Sequence, residues 1–503
     1  MNSSPSRAGH CPAQRAIVIG AGLGGMAAAL RLKAKGYDVL LVDRCKRHGG
    51  RAQVFEKDGF RHDAGPTVIT APFLIEELFG LFGRKMADYI ELIELSPWYR
   101  FCFHDGTQLD YGGTIEDTQR AIAAFNADDA NGYAALVEES QRLFEVGFEE
   151  LADCPFDRFS KMLGTVPDLL RLRADRSVWR LVASHIRDDR VRQALAVQPL
   201  LVGGNPFDTT CIYGLIHYLE RRWGIHFVRG GTGALVDGLA KLMTENGIVS
   251  RLETTVTNVE IRDGAACGVK LDNGEFLPAE IVVSNADPMH LYGSMIASRY
   301  QNASVRLKRA RAKLSMGLFV LFFGTDRQYP DIVHHTIWIG RHYRQVLDDV
   351  FHRQKVGDDL SLYLHRPTAS DASFAPPGCD SFYALVPVPN LSANIDWTET
   401  GPALRERVLK ALDASILPNL KSHIVSDFFM TPEDFERDYL SVAGAGFSIA
   451  PLFSQSAWFR FHNRGEGPRN LYLVGAGTHP GAGIPGVLSS AKVIDKLVPS
   501  VIA

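Results

Sequence analysis

The apolar and polar positions divide this chain into stretches of different period. Residues 16–19 (Ala-Ile-Val-Ile) form a short unbroken apolar run, and residues 39–42 form a second. Runs of this length bounded by turn residues predict buried strands. Between them lie Gly20-Ala21-Gly22-Leu23-Gly24-Gly25 and a helix-like stretch over 26–35. From 75 to 223 the period is mostly helical, with loops expected at Pro97, Pro155 and Pro199. Strand patterns return at Phe227. Residues 249–261 alternate, 269–271 run into the hairpin signal Asn273-Gly274, and 280–284 read as another buried strand. The longest apolar run, 316–324, lies in a strand-rich block over 314–388. A helix is expected over 403–417, a strand over 471–474, and a last helix from about 486 to 497. Residues 1–14 read as a disordered lead-in.

Strand, glycine turn, helix, strand and acid have a joint meaning. Gly20 permits the tight turn, Gly22 lets backbone approach a pyrophosphate, and Gly25 lets helix and strand pack closely. The free N–H groups of the helix N-terminus favour the negative charge. Asp43 ends the second run, about where an acid for a ribose hydroxyl should stand. The pattern therefore predicts a dinucleotide site that includes Ala21 and Gly24. The 503 residues are too many for one core, so two or three subdomains are expected. Nucleotide-type segments recur at the start, middle and end. The expected fold is α/β, a discontinuous Rossmann-like domain over 15–75, 227–310 and 430–498. The remaining 76–226 and 311–429 should form an α+β substrate domain with a helical part.

Composition narrows the partners. A net charge of -3 argues against nucleic acid. The seven cysteines are scattered and contain no CxxC, so reduced thiols are expected, with neither a disulfide frame nor a metal site. No secretory signal is legible, and no run of 18 apolar residues exists.

Further motifs carry chemistry. Gly49-Gly50-Arg51 offers close backbone approach and a planar fork for phosphate. His62-Asp63-Ala64-Gly65-Pro66-Thr67 reads as a compact loop, either a plain β-turn or backbone lying against a flat ring. Residues 474–486 hold five glycines and two prolines between a strand and a helix. Such a loop brings backbone close to something large and flat. The following helix aims its positive end at that object, which suits the negative charge of a reduced flavin.

Together these pieces resemble the bacterial phytoene desaturases, FAD-dependent carotenoid desaturases among the amine-oxidase-like flavoproteins. The resemblance runs from about residue 16 to 496. It includes Gly203-Gly204-Asn205-Pro206, Arg229-Gly230-Gly231-Thr232, Ser284-Asn285-Ala286-Asp287, His334-His335-Thr336, Tyr363-Leu364-His365 and Trp458-Phe459-Arg460. It implies FAD as cofactor and phytoene, with partly desaturated carotenes, as substrate; neurosporene or lycopene would be the product. By that resemblance Gly20, Gly22 and Gly25 line the pyrophosphate, and Asp43 binds the ribose. Gly49 to Arg51 and Gly65, Pro66 and Thr67 flank the flavin. Val256 meets adenine, while Gly475, Gly477 and Ile484 lie along the isoalloxazine. The flavin acceptor is oxygen or a quinone, and no second nucleotide unit implies a nicotinamide.

No catalytic base is assigned by spacing; His334, His335, His365 and Asp438 are the candidates. Related desaturases often carry an Arg-Asp pair where this chain has Ser160-Lys161, with Asp157-Arg158 nearby as a substitute. A hydrocarbon substrate calls for membrane contact. Residues 166–186 and 304–314 mix leucines with arginines and lysines. Each suits a helix lying on an anionic surface, or a core helix with a solvated basic face. The hydrocarbon favours the former, at the inner face of the cell membrane. The alternatives are a carotene isomerase, a desaturase of another carotenoid, and a non-catalytic lipid carrier like the GDP-dissociation inhibitors.

Overall fold

The computed structural model describes residues 14–501. The expected lead-in lies outside the described residues apart from Gln14. A parallel five-stranded sheet forms from Arg15–Ile19, Asp38–Val42, Val249–Arg251, Ile281–Ser284 and Leu471–Leu473. Its order across the sheet is Leu471–Leu473, Ile281–Ser284, Arg15–Ile19, Asp38–Val42, Val249–Arg251. All four pairings are parallel, and helices cover one face. That is why Ala16, Ile17 and Val18 are wholly buried: a parallel strand has no wet side. Helices Leu23–Ala34, Gly231–Glu245 and Ile484–Leu497 share one core with it. The opposite face packs on an antiparallel sheet of Val256–Arg262, Ala265–Leu271 and Phe276–Pro278. The Asn273-Gly274 turn joins the last two strands, with Gly274 at φ 87°.

A seven-stranded mixed sheet forms the other half. Its strand Gly317–Thr325 is buried at every position. Phe319, Leu321 and Phe323 pack toward helix Trp397–Asp413. Leu318, Val320 and Phe322, on the alternate face, line a cavity. This sheet and a separate two-stranded one each correct an expectation. The stretch read as helical contains strands Tyr99–Phe103 and Gln108–Tyr111, whose inward Tyr99, Phe101 and Phe103 alternate with more polar or smaller residues. They join the sheet through a parallel pairing with His335–Ile339. His62, Asp63 and Ala64 are also not loop; they end strand Phe60–Ala64, which pairs with Gln53–Lys57. Helix Trp397–Asp413 starts six residues earlier than expected, because Asp396 caps it by accepting from the Thr398 N–H.

The expected amphipathic segment 166–186 is not one helix. Phe159–Arg171 ends before a turn, and the separate helix Val178–Ala183 buries Val178, Leu181 and Val182 in the core. No described helix is long and apolar enough to cross a membrane. The six described cysteines are free.

Candidate active site

One cavity of about 620 Å³ joins the two halves. At one end the strand Arg15–Ile19 delivers the glycine turn. Gly20 N–H donates to Val42 O at 2.8 Å, which ties the turn to the neighbouring strand. Gly22 caps helix Leu23–Ala34 without any side-chain cap, and the first turn holds no acid. The positive helix end is thus left for a ligand, and Gly22, Leu23 and Gly24 line the cavity there. Asp43 accepts from Ala21 N–H at 2.5 Å and from Cys45 N–H at 2.6 Å. These bonds fix the carboxylate at the cavity wall, where its remaining lone pairs can take ribose hydroxyls. Gly49 bridges to Gly22, and its N–H donates to Ala21 O.

At the opposite side strand Leu471–Leu473 delivers the second glycine loop. Helix Ile484–Leu497 follows, again with no side-chain cap and no acid in its first turn. The loop is gripped from outside. Buried Arg460 donates to the carbonyls of Ala476 (2.6 Å), Thr478 (2.9 Å), Ile449 (3.2 Å) and Gln455 (3.3 Å). Asn463 donates to His479 O at 2.9 Å. The loop's inner face is left to the cavity.

Asn285 joins the two glycine segments. A Cβ at Gly22 would stand 2.7 Å from Asn285 Oδ1, and one at Gly475 2.4 Å from its Nδ2. Gly475 also has φ 104°, where a side chain is strained. Two uncapped helix ends, an acid and a cradle that any side chain would fill fit a dinucleotide carrying a flavin.

Every cofactor residue expected from the sequence lines this cavity except Ala21 and Gly25. Ala21 serves through its N–H to Asp43. Gly25 serves through packing: a Cβ there would lie 1.9 Å from Gly20 O. The candidate bases sit differently. His334, His335 and His365 are absent from the cavity wall and stand behind it. Tyr363 OH bonds His335 Nδ1 at 2.6 Å, and Thr67 Oγ1 on the wall bonds Tyr363 OH at 3.0 Å and Tyr383 OH at 2.9 Å. Asp438 is on the wall at the Asp43–Arg44 end, bound to Arg437 at 2.7 and 2.8 Å. Lys161 pairs with Asp157, and neither lines the cavity.

The far end is apolar. Met162, Leu200, Ile212, Leu215 and Leu219 line it with Leu318, Val320, Phe322, Ile337 and Leu385. Sequence reasoning missed Glu220, a lining residue with no solvent exposure. Burial pushes its carboxyl up to about 7. Tyr111 OH donates to it at 3.2 Å and Tyr99 OH at 3.4 Å. Arg460 and Asn285 were missed as site residues too, although both stood in quoted motifs. His479, on the wall, is held down at about 4 by burial while it bonds Leu151 O at 2.7 Å.

Residues 23–493 match the flavin-containing amine oxidoreductase family. The lycopene-forming phytoene desaturase of Pseudescherichia vulneris is 44% identical over 96% of this chain and 99% of its own length. The neurosporene-forming enzyme of Rhodobacter capsulatus is 40% identical over 96% of this chain and 94% of its own. Among solved structures, cyclohexylamine oxidase from Brevibacterium oxydans shares the fold, with a TM-score of 0.62 at 17% identity, over 97% of this chain and all of that one. A glycine cradle that opens into an apolar cavity is what such an enzyme needs, and the chain belongs to the flavin-containing amine oxidoreductases and, among them, to the phytoene desaturases.

Proposed function

We propose that the protein introduces double bonds into phytoene, giving neurosporene or lycopene, with FAD as its cofactor. The carrying observation is one continuous cavity that begins at the glycine cradle and ends among apolar side chains. Bound FAD supplies the acceptor for a hydride from a CH–CH unit. The chain's part is to hold and shape. The cradle residues named above, with Asp43 on the ribose and Val256 at adenine, hold the dinucleotide. A C40 hydrocarbon offers no charge to grip, so the apolar wall must align it by shape and exclude water. The uncapped end of Ile484–Leu497 presents positive potential where the isoalloxazine would gain negative charge. The neighbouring carbon must also lose a proton to close the double bond; positive character on the hydrocarbon would spread over adjoining double bonds, so a weak acceptor such as the reduced flavin would suffice to take it. The chain is read as a cofactor part (15–75, 227–310, 430–498) and a substrate part (76–226, 311–429), a reading that the separate five- and seven-stranded sheets support.

We further propose that the protein works on a membrane surface. On helix Phe159–Arg171, Phe159, Leu163, Val166 and Leu170 are all exposed, at the i, i+4, i+7, i+11 spacing of one helix face. Met162 and Leu169 of the same helix line the cavity, as does exposed Phe453. Hydrocarbon leaving a bilayer along this stripe would meet the apolar end directly. The 304–314 segment gives less support, since Lys308 is committed to Glu466 at 2.9 Å and Leu307 alone is an exposed large hydrophobic. Oxygen or a quinone dissolved in the bilayer re-oxidises the flavin.

The test is purified, FAD-supplied protein incubated with phytoene in liposomes. A multi-banded visible spectrum is expected, and chromatography counts the double bonds added. Flavin bound without colour would move the reading to a carotene isomerase or another carotenoid. Neither flavin nor colour would favour a carrier.

A further inference from the structure

Behind the cavity wall three histidines converge, and four of their six ring nitrogens have no partner. His334, His335 and His365 are 4%, 0% and 0% exposed. His335 and His365 sit directly opposite each other on antiparallel strands His335–Ile339 and Leu362–His365. One ring nitrogen from each residue can be chosen so that all three lie within 4.8 Å of one another. His334 Nδ1 is held by Ser370 Oγ at 2.8 Å, and His335 Nδ1 by Tyr363 OH at 2.6 Å. In both rings Nε2 is buried with no partner, and in His365 neither nitrogen has one. Asp63, wholly buried on strand Phe60–Ala64 of the two-stranded sheet, spends Oδ1 on the Thr232 N–H at 2.9 Å. Its Oδ2 is unpartnered and stands 3.7 Å from His365 Nε2.

A fully buried polar atom without a partner costs about 1–3 kcal/mol, so this many in one place call for a common partner. A histidine that ligates a metal has one nitrogen fixed by a hydrogen bond or carboxylate and the other left free. His334 and His335 have that arrangement through Ser370 and Tyr363, and Asp63 is placed to give it to His365. We propose that His334, His335 and His365 bind one divalent transition-metal ion of the zinc class. Imidazole is a borderline donor that suits such ions and not magnesium or calcium. Tetrahedral bonds of about 2.0–2.1 Å require donors roughly 3.3 Å apart, so the rings close on the ion by at most about 1.5 Å. Asp63 supplies a negative charge beside it. The neighbouring Arg366 is already answered by Asp380 at 3.0 and 3.1 Å. A water or oxygen donor completes the coordination. The ion pins the two strands and, through His335, the Tyr363 and Thr67 hydroxyls of the cavity wall. It is a structural centre and takes no part in the redox step.

The test uses the full-length FAD-loaded protein produced without a polyhistidine tag. After exposure to zinc and gel filtration, elemental analysis against chain concentration should give about one ion per chain, and X-ray absorption should show nitrogen ligands at about 2.0 Å. His335→Gln and His365→Gln should lower the metal content about tenfold or more. His342→Ala, at an exposed histidine, should leave it unchanged. Flavin absorbance and elution volume establish that each variant is folded. Metal below about a tenth of an equivalent in the wild type, or unchanged content in either glutamine variant, overturns the proposal. The wild-type measurement decides even if both variants fail to fold.

Discussion

At single positions, the site depends on residues whose geometry admits no substitute. Gly475→Ala places a Cβ 2.4 Å from Asn285 Nδ2 at a φ of 104°. Strain of this kind costs roughly 1–3 kcal/mol. The expected result is a protein with little flavin per chain and a lower unfolding midpoint; full flavin occupancy would refute the cradle assignment. This glycine was legible in the sequence because a turn that dense has few other uses. Glu220 was not. Its Glu-Arg-Arg-Trp setting near a helix end reads as a solvated face, and its burial comes from Tyr99 and Tyr111, over a hundred residues away. Glu220 gives a pH test. Its folded value of about 7 lies above the ordinary 4.5, so its stabilisation is complete below 4.5 and is lost as pH rises through about 7. Each unit of that gap is worth roughly 1.4 kcal/mol. His217 and His479 act oppositely: held at about 4 against 6.5, they stabilise fully above 6.5 and lose that contribution as pH falls through about 4. Glu220→Gln should remove the falling contribution between about pH 4.5 and 7, so the variant's urea-unfolding free energy should rise more steeply with pH across that window than the wild type's. Profiles that run parallel for variant and wild type would contradict the buried-acid reading.

Among elements, the best-read were those whose local pattern and tertiary role agree. The apolar run of Gly317–Thr325 is buried on both faces, as its composition predicts. The hairpin at Asn273-Gly274 formed as expected. The strands Tyr99–Phe103 and Gln108–Tyr111 were passed over because they are short and lie in a helical stretch. Tyr99–Phe103 is anchored by a partner over two hundred residues later, and Gln108–Tyr111 pairs back onto Tyr99–Phe103. Helix Phe159–Arg171 shows the reverse conflict, an apolar face turned to solvent. Burying one leucine is worth about 1.5–3 kcal/mol, roughly tenfold or more in binding. Replacing Leu163 and Leu170 by Asp should therefore lower co-flotation with liposomes at least tenfold per site. It should also slow turnover of liposomal phytoene while flavin content holds. Both side chains are more than half exposed, so folding should change little. Undiminished co-flotation would remove this helix as the membrane contact.

For the whole molecule, the recurrence of strand-like segments at the start, middle and end made a discontinuous sheet legible, but not its order. Leu471–Leu473 lies beside Ile281–Ser284, and Val249–Arg251 closes the other edge. Pairings between such distant segments leave no periodic trace in either one. The same topology predicts how the cofactor acts on the fold. The cavity wall takes the 20–24 turn from one stretch, Asn285 from another and the 475–486 loop from a third. A ligand that touches all three binds only when they are assembled. Binding then stabilises the native state by about 2.7 kcal/mol at a hundredfold excess over Kd. Stripping the FAD should lower the thermal midpoint, and excess FAD should restore it. Hydrogen exchange should localise the effect. Amides of the 20–24 turn and the 475–486 loop should lose protection together in the stripped protein. Those of Gly317–Thr325, paired on both sides within the other sheet, should keep theirs. Equal loss in both sheets would mean that cofactor and substrate halves unfold as one unit. Loss in neither would mean that the cradle is rigid before the cofactor arrives, and that FAD finds its site already formed.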